Sequence, residues 1–465
     1  MTSVRTSRTD AFVADLRELV PAGSILTDPD VVAAYASDQS RLTTSEPPAA
    51  VLIPRTTADV SACLQMAARH GVPVIPRGAG SGLSGAANAS AHAVVLSLHR
   101  MDAFLEVDTA NRLVVVQPGV VTADVRAAAA REGLFYPPDP GSVEFCTIGG
   151  NVATNAGGMC CVRYGVTGDF VLGLEVVLAD GRILRTGRRT VKGVAGLDLT
   201  HLFVGSEGTL GVVTEVTLRL VPAPRPPHTM VATFDRLTDA GAAVAGIVGS
   251  GATPSMLEIL DRTTVRAVDA LMHMDLGADV ATVLLVQSDH ADAGTELERV
   301  AAICSEAGAV DVMSTDDPAE GAMLLEARRQ ALPALERLGD WLLDDVCVPL
   351  TAVTTLIESI EDIAARHDLT IGVFGHAGDG NLHPTVIFDG GDETSVRAAR
   401  AAFDDITAAA LALGGTVTGE HGVGRLKAGW LREELGPVGM DVQHAVKNAL
   451  DPLHLLCPEG MLRTP

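Results

Sequence analysis

A chain of 465 residues, 47% of them hydrophobic, can bury a large core and exceeds the size at which a single core stops growing, so two domains are expected. Its formal net charge of −24 excludes the basic stripes that a nucleic-acid partner requires, and no window is apolar for long enough to span a bilayer. Seven cysteines without a C-x-x-C pair indicate neither a disulfide framework nor a four-cysteine zinc or iron–sulfur site, and the start of the chain has no apolar segment of the signal-peptide type, so a cytoplasmic location is expected.

Between 57 and 70 the residues Val60, Cys63, Leu64, Ala67 and Ala68 recur at helical spacing and Gly71 follows as a stop signal, which predicts a helix. Runs rich in β-branched residues at 72–76, 94–98, 104–107 and 113–117 predict short strands. A second helix, capped by Thr122 and ended by Gly133, precedes the proline-rich turn 137–141. Asp180-Gly181, between expected strands at 174–179 and 182–185, is a hairpin turn whose glycine supplies the positive φ. A strand at 212–220 leads into prolines at 222, 224, 226 and 227, which cannot donate to a ladder, and the domain boundary is placed there. Beyond it, strands at 230–234, 256–260, 283–287, 342–348, 370–374 and 385–388 alternate with longer amphipathic helices, as in an α+β domain with helices on one face of a sheet.

Residues 80–85 match G-x-G-x-x-G, yet a dinucleotide fingerprint must open a helix and 86–92 is a short polar stretch leading straight into a strand. What remains is a glycine loop, with Arg77, Ser81 and Ser84 beside it, that can turn N–H donors toward a phosphate. The run 147–158 is too dense in Gly, Asn and Thr to predict helix or strand, and 205–211 has the same character. Three such loops in one domain suit a large, flat, phosphate-bearing cofactor touched mainly by backbone.

The second half carries His376 and His383 on one glycine-rich segment and Glu420-His421 on another. Two histidines and a carboxylate are the ligands that a zinc or manganese ion with open positions uses, while the neighbouring histidine can point into the site as a base. Arg328 and Arg329 lie in a stretch patterned as a helix, where charged residues ordinarily form a solvated face.

The segments 77–85, Pro138-Asp139-Pro140, 147–158, Tyr164-Gly165 and 205–211, in this order, resemble the FAD-binding domain shared by vanillyl-alcohol oxidase, p-cresol methylhydroxylase and their relatives. Within that family they most resemble the branch of the glycolate oxidase flavin subunit and the D-lactate and D-2-hydroxyglutarate dehydrogenases. The resemblance implies an α+β fold: an N-terminal helical segment (1–44), a two-lobed FAD-binding domain (45–222) and a ferredoxin-like substrate cap (223–465). It implies that Arg77, Gly78, Ala79, Gly80, Ser81, Gly82, Leu83, Ser84 and Gly85 hold the FAD pyrophosphate. Pro138, Asp139, Ser142, Thr147, Gly149, Gly150, Asn151, Asn155, Gly157 and Gly158 are expected to line the diphosphate and isoalloxazine, with Glu207, Gly208, Gly211 and Val212 toward the adenine side. Ser84 and Gly85 stand where a histidine would carry a covalent flavin, so noncovalent FAD is expected.

By the same resemblance His376, His383 and Glu420 are ligands of a divalent zinc or manganese ion, His421 is the catalytic base, and Arg328 grips the substrate carboxylate. Relatives have W-x-x-R at this last place, and Leu325 replaces the Trp here. The lysine that D-2-hydroxyglutarate enzymes use for a second carboxylate, near 343–345, is absent. The implied activity is FAD-dependent oxidation of a small D-2-hydroxy acid, with electrons passing to a quinone, a cytochrome, an electron-transfer flavoprotein or oxygen. Companion subunits and a peripheral place at the inner face of a membrane belong to the same expectation. The alternatives are the flavin subunit of a larger electron-transfer complex, and a non-redox transferase of the alkyl-dihydroxyacetonephosphate synthase kind, whose His-rich loop this sequence lacks.

Overall fold

The 57–70 periodicity produces a helix over Thr57–His70, started by Thr56, whose hydroxyl accepts from the Asp59 N–H while Asp59 accepts from the Thr56 N–H, and ended by Gly71 in the left-handed region at φ 63°. The computed structural model that contains it describes residues 2–21, 23–274 and 280–463. The chain divides into two compact units, one made of Met1–Gly157, Val166–Ala223 and Glu420–Pro465, the other of Gly158–Gly165 and Pro224–Gly419. The passage from Ala223 to Pro224 falls in the proline stretch, and the grouping by contact crosses the sequence division at Gly158–Gly165 and at Glu420–Pro465.

The first unit holds two main sheets. Ile25–Leu26, Ala50–Leu52, Val94–Ser97 and Val74–Arg77 form one in that order, with Val94–Ser97 parallel to both of its neighbours. No helix intervenes between Val74–Arg77 and Val94–Ser97, so the glycine loop at 78–85 opens none. Phe104–Asp108, Leu113–Val116, Val212–Arg219, Val171–Val177 and Ile183–Gly187 form an antiparallel five-stranded sheet. The Asp180-Gly181 turn joins its last two strands, with Gly181 at φ 85°.

Two local expectations are corrected. Thr122 is not a cap: the helix Thr122–Arg131 has Val121 at its N-cap position, and Thr122 is buried inside the first turn, where its hydroxyl accepts from Asn151 Nδ2 at 2.7 Å. The run 147–158 does contain a helix, Ile148–Thr154. Its glycines and asparagine disfavour a helix in isolation, but the buried Ile148, Asn151 and Val152 give it one packed face. Thr147 caps it by accepting from the Gly150 N–H, and Asn155 ends it at φ 53°.

The second unit is an eight-stranded sheet ordered Asp311–Thr315, His228–Phe234, Thr282–Ser288, Met256–Asp261, Thr370–His376, Asn381–Phe388, Asp340–Leu343, with Val346–Cys347 also paired to Asn381–Phe388. Every pairing is antiparallel. Each residue of Met256–Asp261, Thr282–Ser288 and Asn381–Phe388 is buried. Successive side chains alternate between faces, so both faces of the sheet's centre are covered, not one as its sequence suggested. The strand Asp311–Thr315 was not foreseen; it lies at the sheet edge, mostly exposed, and lacks apolar alternation.

A buried ion pair anchors the C-terminal tail within the first unit. Lys447 Nζ donates to Asp451 Oδ2 at 2.6 Å, to the Thr209 carbonyl at 2.7 Å and to the Leu456 carbonyl at 2.8 Å, while Asp451 accepts from the N–H groups of Leu455 and Leu456. The lysine thereby ties the tail to the loop at 205–211. Removing one partner of such a pair strands the other charge, so Lys447→Met is expected to destabilise the fold by about 3–5 kcal/mol, and adding Asp451→Asn to recover part of that loss, as read from denaturant unfolding.

Candidate functional site

Three glycine loops of the first unit meet because their backbones approach more closely than side chains permit. A Cβ on Gly78 would lie 2.4 Å from Thr147 Oγ1, and one on Gly149 would lie 2.5 Å from Pro118 Cβ. The Gly205 and Glu207 N–H groups donate to the carbonyls of Val152 and Ala153, at 2.9 and 2.7 Å, so the loop at 205–211 is bonded to the helix Ile148–Thr154. Gly208 packs on Pro76, in the strand that feeds the loop at 78–85. Arg77 folds its guanidinium across Gly80, where a Cβ would lie 2.1 Å from Nη2. Arg77 Nη1 is buried without a hydrogen-bond partner among the described residues, as is Asp38 Oδ2. A buried, unpartnered guanidinium N–H beside a glycine cradle fits a phosphate-bearing cofactor.

Other residues expected at the cofactor have local partners of their own. Pro138 and Asp139 lie in the proline-rich turn, which Ser142 follows; the turn is tied to the helix Thr122–Arg131 by Arg126 Nη1, which donates to the carbonyls of Pro137 and Pro138. Asn155 Oδ1 accepts from the Gly168 N–H at 2.8 Å, and Gly211 packs against Val176. Gly158 belongs to the second unit.

Ser84 and Glu207, both expected at the flavin, hold the segment that carries His421. Ser84 Oγ donates to the carbonyls of Gly422 at 2.7 Å and His421 at 3.2 Å, and the Ser84 carbonyl accepts from Arg425 and Leu426. Glu207 accepts the N–H groups of Val423 at 2.6 Å and Gly424 at 2.9 Å. Burial pushes the Glu207 carboxyl up to about 7, against those two donors, and the nearby Asp38 carboxyl adds to the rise. His421 Nε2 lies 3.6 Å from Glu420 Oε1.

The polar face of the second unit follows from strand register. His376 ends the strand Thr370–His376 and His383 is the third residue of Asn381–Phe388, with Phe374 opposite His383 and Asn381 opposite His376. The strand Met256–Asp261 sets Glu258 opposite His376. Residues directly opposed share a face, so Glu258, Phe374, His376, Asn381 and His383 all point to one side. The hairpin turn is tight: Gly380 stands at φ 86°, and a Cβ there would lie 2.1 Å from the Val348 carbonyl oxygen.

On that face His376 Nε2 and His383 Nε2 are 3.4 Å apart, and both residues are buried. Two imidazole nitrogens converging in a buried place, with carboxylates behind them, fit a zinc or manganese ion. Glu258 Oε1 lies 2.7 Å from His376 Nδ1, and Glu258 Oε2 accepts from Arg328 Nε at 2.7 Å and forms an ion pair with Nη2, also at 2.7 Å. Asp345 Oδ1 lies 3.6 Å from His383 Nδ1, while its Oδ2 accepts from Thr418 Oγ1 and the Gly419 N–H. Burial alone raises the Glu258 carboxyl, but the facing His376 and Arg328 outweigh it and hold the group below its ordinary range.

The helical stretch 318–329 divides its two arginines. Arg329 stays exposed beside Glu326, whereas Arg328 turns in, 7% exposed, with its guanidinium carbon 4.8 Å from the Phe374 ring centroid. Among the described residues its hydrogen bonds go to Glu258 alone, so one edge of the planar fork is already occupied. Glu258 is the residue that sequence reasoning missed. Its signal was an acid in the middle of the apolar run Met256-Leu257-Glu258-Ile259-Leu260, a place where a charge survives only if partnered.

Two family models match the chain: that of the FAD binding domain over residues 48–187, and that of the C-terminal domain of FAD linked oxidases over residues 223–460. The chain is 43% identical over 417 residues, 89% of its length and 89% of the relative's, to the glycolate oxidase subunit GlcD of Bacillus subtilis (strain 168). It is 34% identical over 462 residues, 97% of each protein, to a D-lactate dehydrogenase of Anaerostipes hadrus. Among solved structures, p-cresol methylhydroxylase with substrate bound shares the fold at a TM-score of 0.82 and 16% identity, over 98% of this chain and 97% of that one.

Because the Glu207 carboxyl titrates near 7 in the fold and near 4.5 when solvated, the unfolded chain gives up this proton first as pH rises. The contribution of Glu207 to stability is therefore present below about 4.5 and is lost as pH rises through about 7. Glu207→Gln removes that slope. The stability difference between wild type and variant is expected to shift against the wild type by at most about 3 kcal/mol between pH 5 and pH 7.5, measured by denaturant unfolding at both pH values.

Proposed function

Because this chain belongs to the family of FAD-linked oxidases, we propose that it oxidises a small D-2-hydroxy acid, glycolate or D-lactate or a close analogue, to the 2-oxo acid. The observation that carries the reading is the buried polar face of the second unit, where two histidine nitrogens converge and an arginine is fixed beside them. The relatives named glycolate oxidase subunit and D-lactate dehydrogenase support the substrate class.

His376 and His383 hold a divalent zinc or manganese ion together with Glu420, the residue that follows Gly419, whose N–H is held by Asp345. The loop from Arg77 to Gly85 holds the FAD pyrophosphate, and the segments at 147–158 and 205–212 line the rest of the cofactor. When bound, the flavin supplies a hydride acceptor at N5, and the cation supplies the Lewis acidity that lowers the pKa of a hydroxyl.

The protein's own groups do the rest. Arg328 presents Nη1 to the substrate carboxylate, since Nε and Nη2 are held by Glu258. His421 takes the hydroxyl proton, from a backbone clamped by Ser84 at its carbonyl and by Glu207 two residues further on. Ser84 and Gly85 offer no attachment point for a covalent flavin, and the Ser84 hydroxyl is engaged by backbone carbonyls, which supports noncovalent FAD.

The electrons pass on to a quinone, a cytochrome, an electron-transfer flavoprotein or oxygen. No helix of the described residues is long and apolar enough to cross a membrane. A second reading, the flavin subunit of a larger electron-transfer assembly, is favoured by one observation: the 43% identical relative is named a subunit.

Anaerobic mixing of the chain, purified alone, with D-lactate or glycolate is expected to bleach the flavin, while L-lactate leaves it oxidised; a flavin that no hydroxy acid reduces supports the subunit reading instead. His421→Ala is expected to keep its FAD and slow bleaching by about 10²–10⁴-fold. Acid precipitation is expected to release the yellow colour into the supernatant, and colour retained in the pellet would refute noncovalent binding.

A further inference from the structure

Glu258 has no exposed surface and sits in the middle of a fully buried strand, where an apolar residue would avoid the desolvation cost of a carboxylate. Its two oxygens serve different partners. Oε1 meets His376 Nδ1, and Oε2 meets both Nε and Nη2 of Arg328. An ionised carboxylate only accepts hydrogen bonds, so His376 must carry its proton on Nδ1, which leaves the Nε2 lone pair facing His383. The same carboxylate engages the Nε and Nη2 edge of the guanidinium, whose carbon lies 4.8 Å from the Phe374 ring centroid, and leaves Nη1 as the nitrogen that Glu258 does not engage.

We propose that Glu258 is a positioning residue shared by the cation site and the carboxylate-binding site: it selects the His376 tautomer that can ligate a metal and simultaneously orients Arg328 toward the substrate. The proposal rests on the reading of His376 as a metal ligand and Arg328 as the carboxylate anchor. It makes the two functions inseparable at one side chain.

Glu258→Gln distinguishes this from a merely structural role, because an amide has one accepting and one donating end. With the oxygen toward Arg328, the NH₂ faces His376 Nδ1, the proton moves to Nε2 and the ligand is lost. With the oxygen toward His376, the NH₂ opposes the guanidinium and Arg328 loses its anchor. Either orientation damages one function, whatever happens to the packing.

The test titrates Zn²⁺ into the flavin-loaded chain, stripped beforehand with a chelator, in competition with a chromophoric chelator, for wild type, Glu258→Gln, Glu258→Asp and His383→Gln. The Glu258→Gln variant is expected to keep its flavin spectrum and to bind Zn²⁺ about 10–100-fold more weakly, or, if zinc affinity is kept, to raise KM for the hydroxy acid at least 10-fold with little change in kcat. Glu258→Asp, which keeps the buried charge but falls one methylene short, is expected to shift in the same direction and carries the test if the Gln variant does not fold. Wild-type zinc affinity together with wild-type KM in the variants overturns the proposal, even if they unfold at lower temperature. A wild-type chain that binds no Zn²⁺, or a His383→Gln variant that binds it fully, overturns the metal reading itself and the proposal with it, and so separates the two failures.

Discussion

Glu258 lies where a carboxylate is tolerated only if both of its oxygens are answered, and the answers organise the second unit. His376 can meet one oxygen because antiparallel register sets it directly opposite Glu258. Arg328 can meet the other because the helix Pro318–Arg329 ends over the same sheet face. The hairpin then brings His383 to the diagonal position beside His376, and Phe374 fills the gap under the guanidinium. Each polar group on this face is placed by the need to partner another, while the neighbouring positions of the same strands are apolar.

The first unit uses the same device with a different balance. Glu207 is also buried, but its partners are two backbone N–H groups, which are dipoles and not charges. They do not offset desolvation, and the carboxyl is pushed up, whereas the imidazole and guanidinium facing Glu258 hold that group down. The consequence is a fixed local geometry in both places. Glu207 and Ser84 shape the segment bearing His421, as Glu258 shapes the ring of His376.

Much of the site was legible in the amino-acid order. Glycines at 78, 149 and 208 mark close approach, and each sits where a Cβ would meet a neighbour at less than van der Waals distance or press against it. The spacing of His376 and His383 around a Gly-Asp-Gly turn is what a hairpin needs to bring two rings together. The helix at Ile148–Thr154 was hidden, because its Gly, Asn and Thr residues oppose helix formation locally and only packing of Ile148 and Val152 decides for it. The edge strand Asp311–Thr315 was hidden for a related reason, since an exposed strand carries no apolar alternation to read.

The sequence by itself determined the family, the three glycine-rich loops and the set of histidines, because those depend on residue types at short spacings along the chain. Only the tertiary structure decided which of the adjacent Arg328 and Arg329 points inward, and that the Ser84 and Glu207 side chains hold the His421 segment. It also decided that Glu258, 118 residues before His376, stands against its ring. The physical reason is the same in each case. A buried charge is stabilised by partners that strand pairing and helix placement bring from far away in the chain, and local sequence carries only the sign that such a partner must exist.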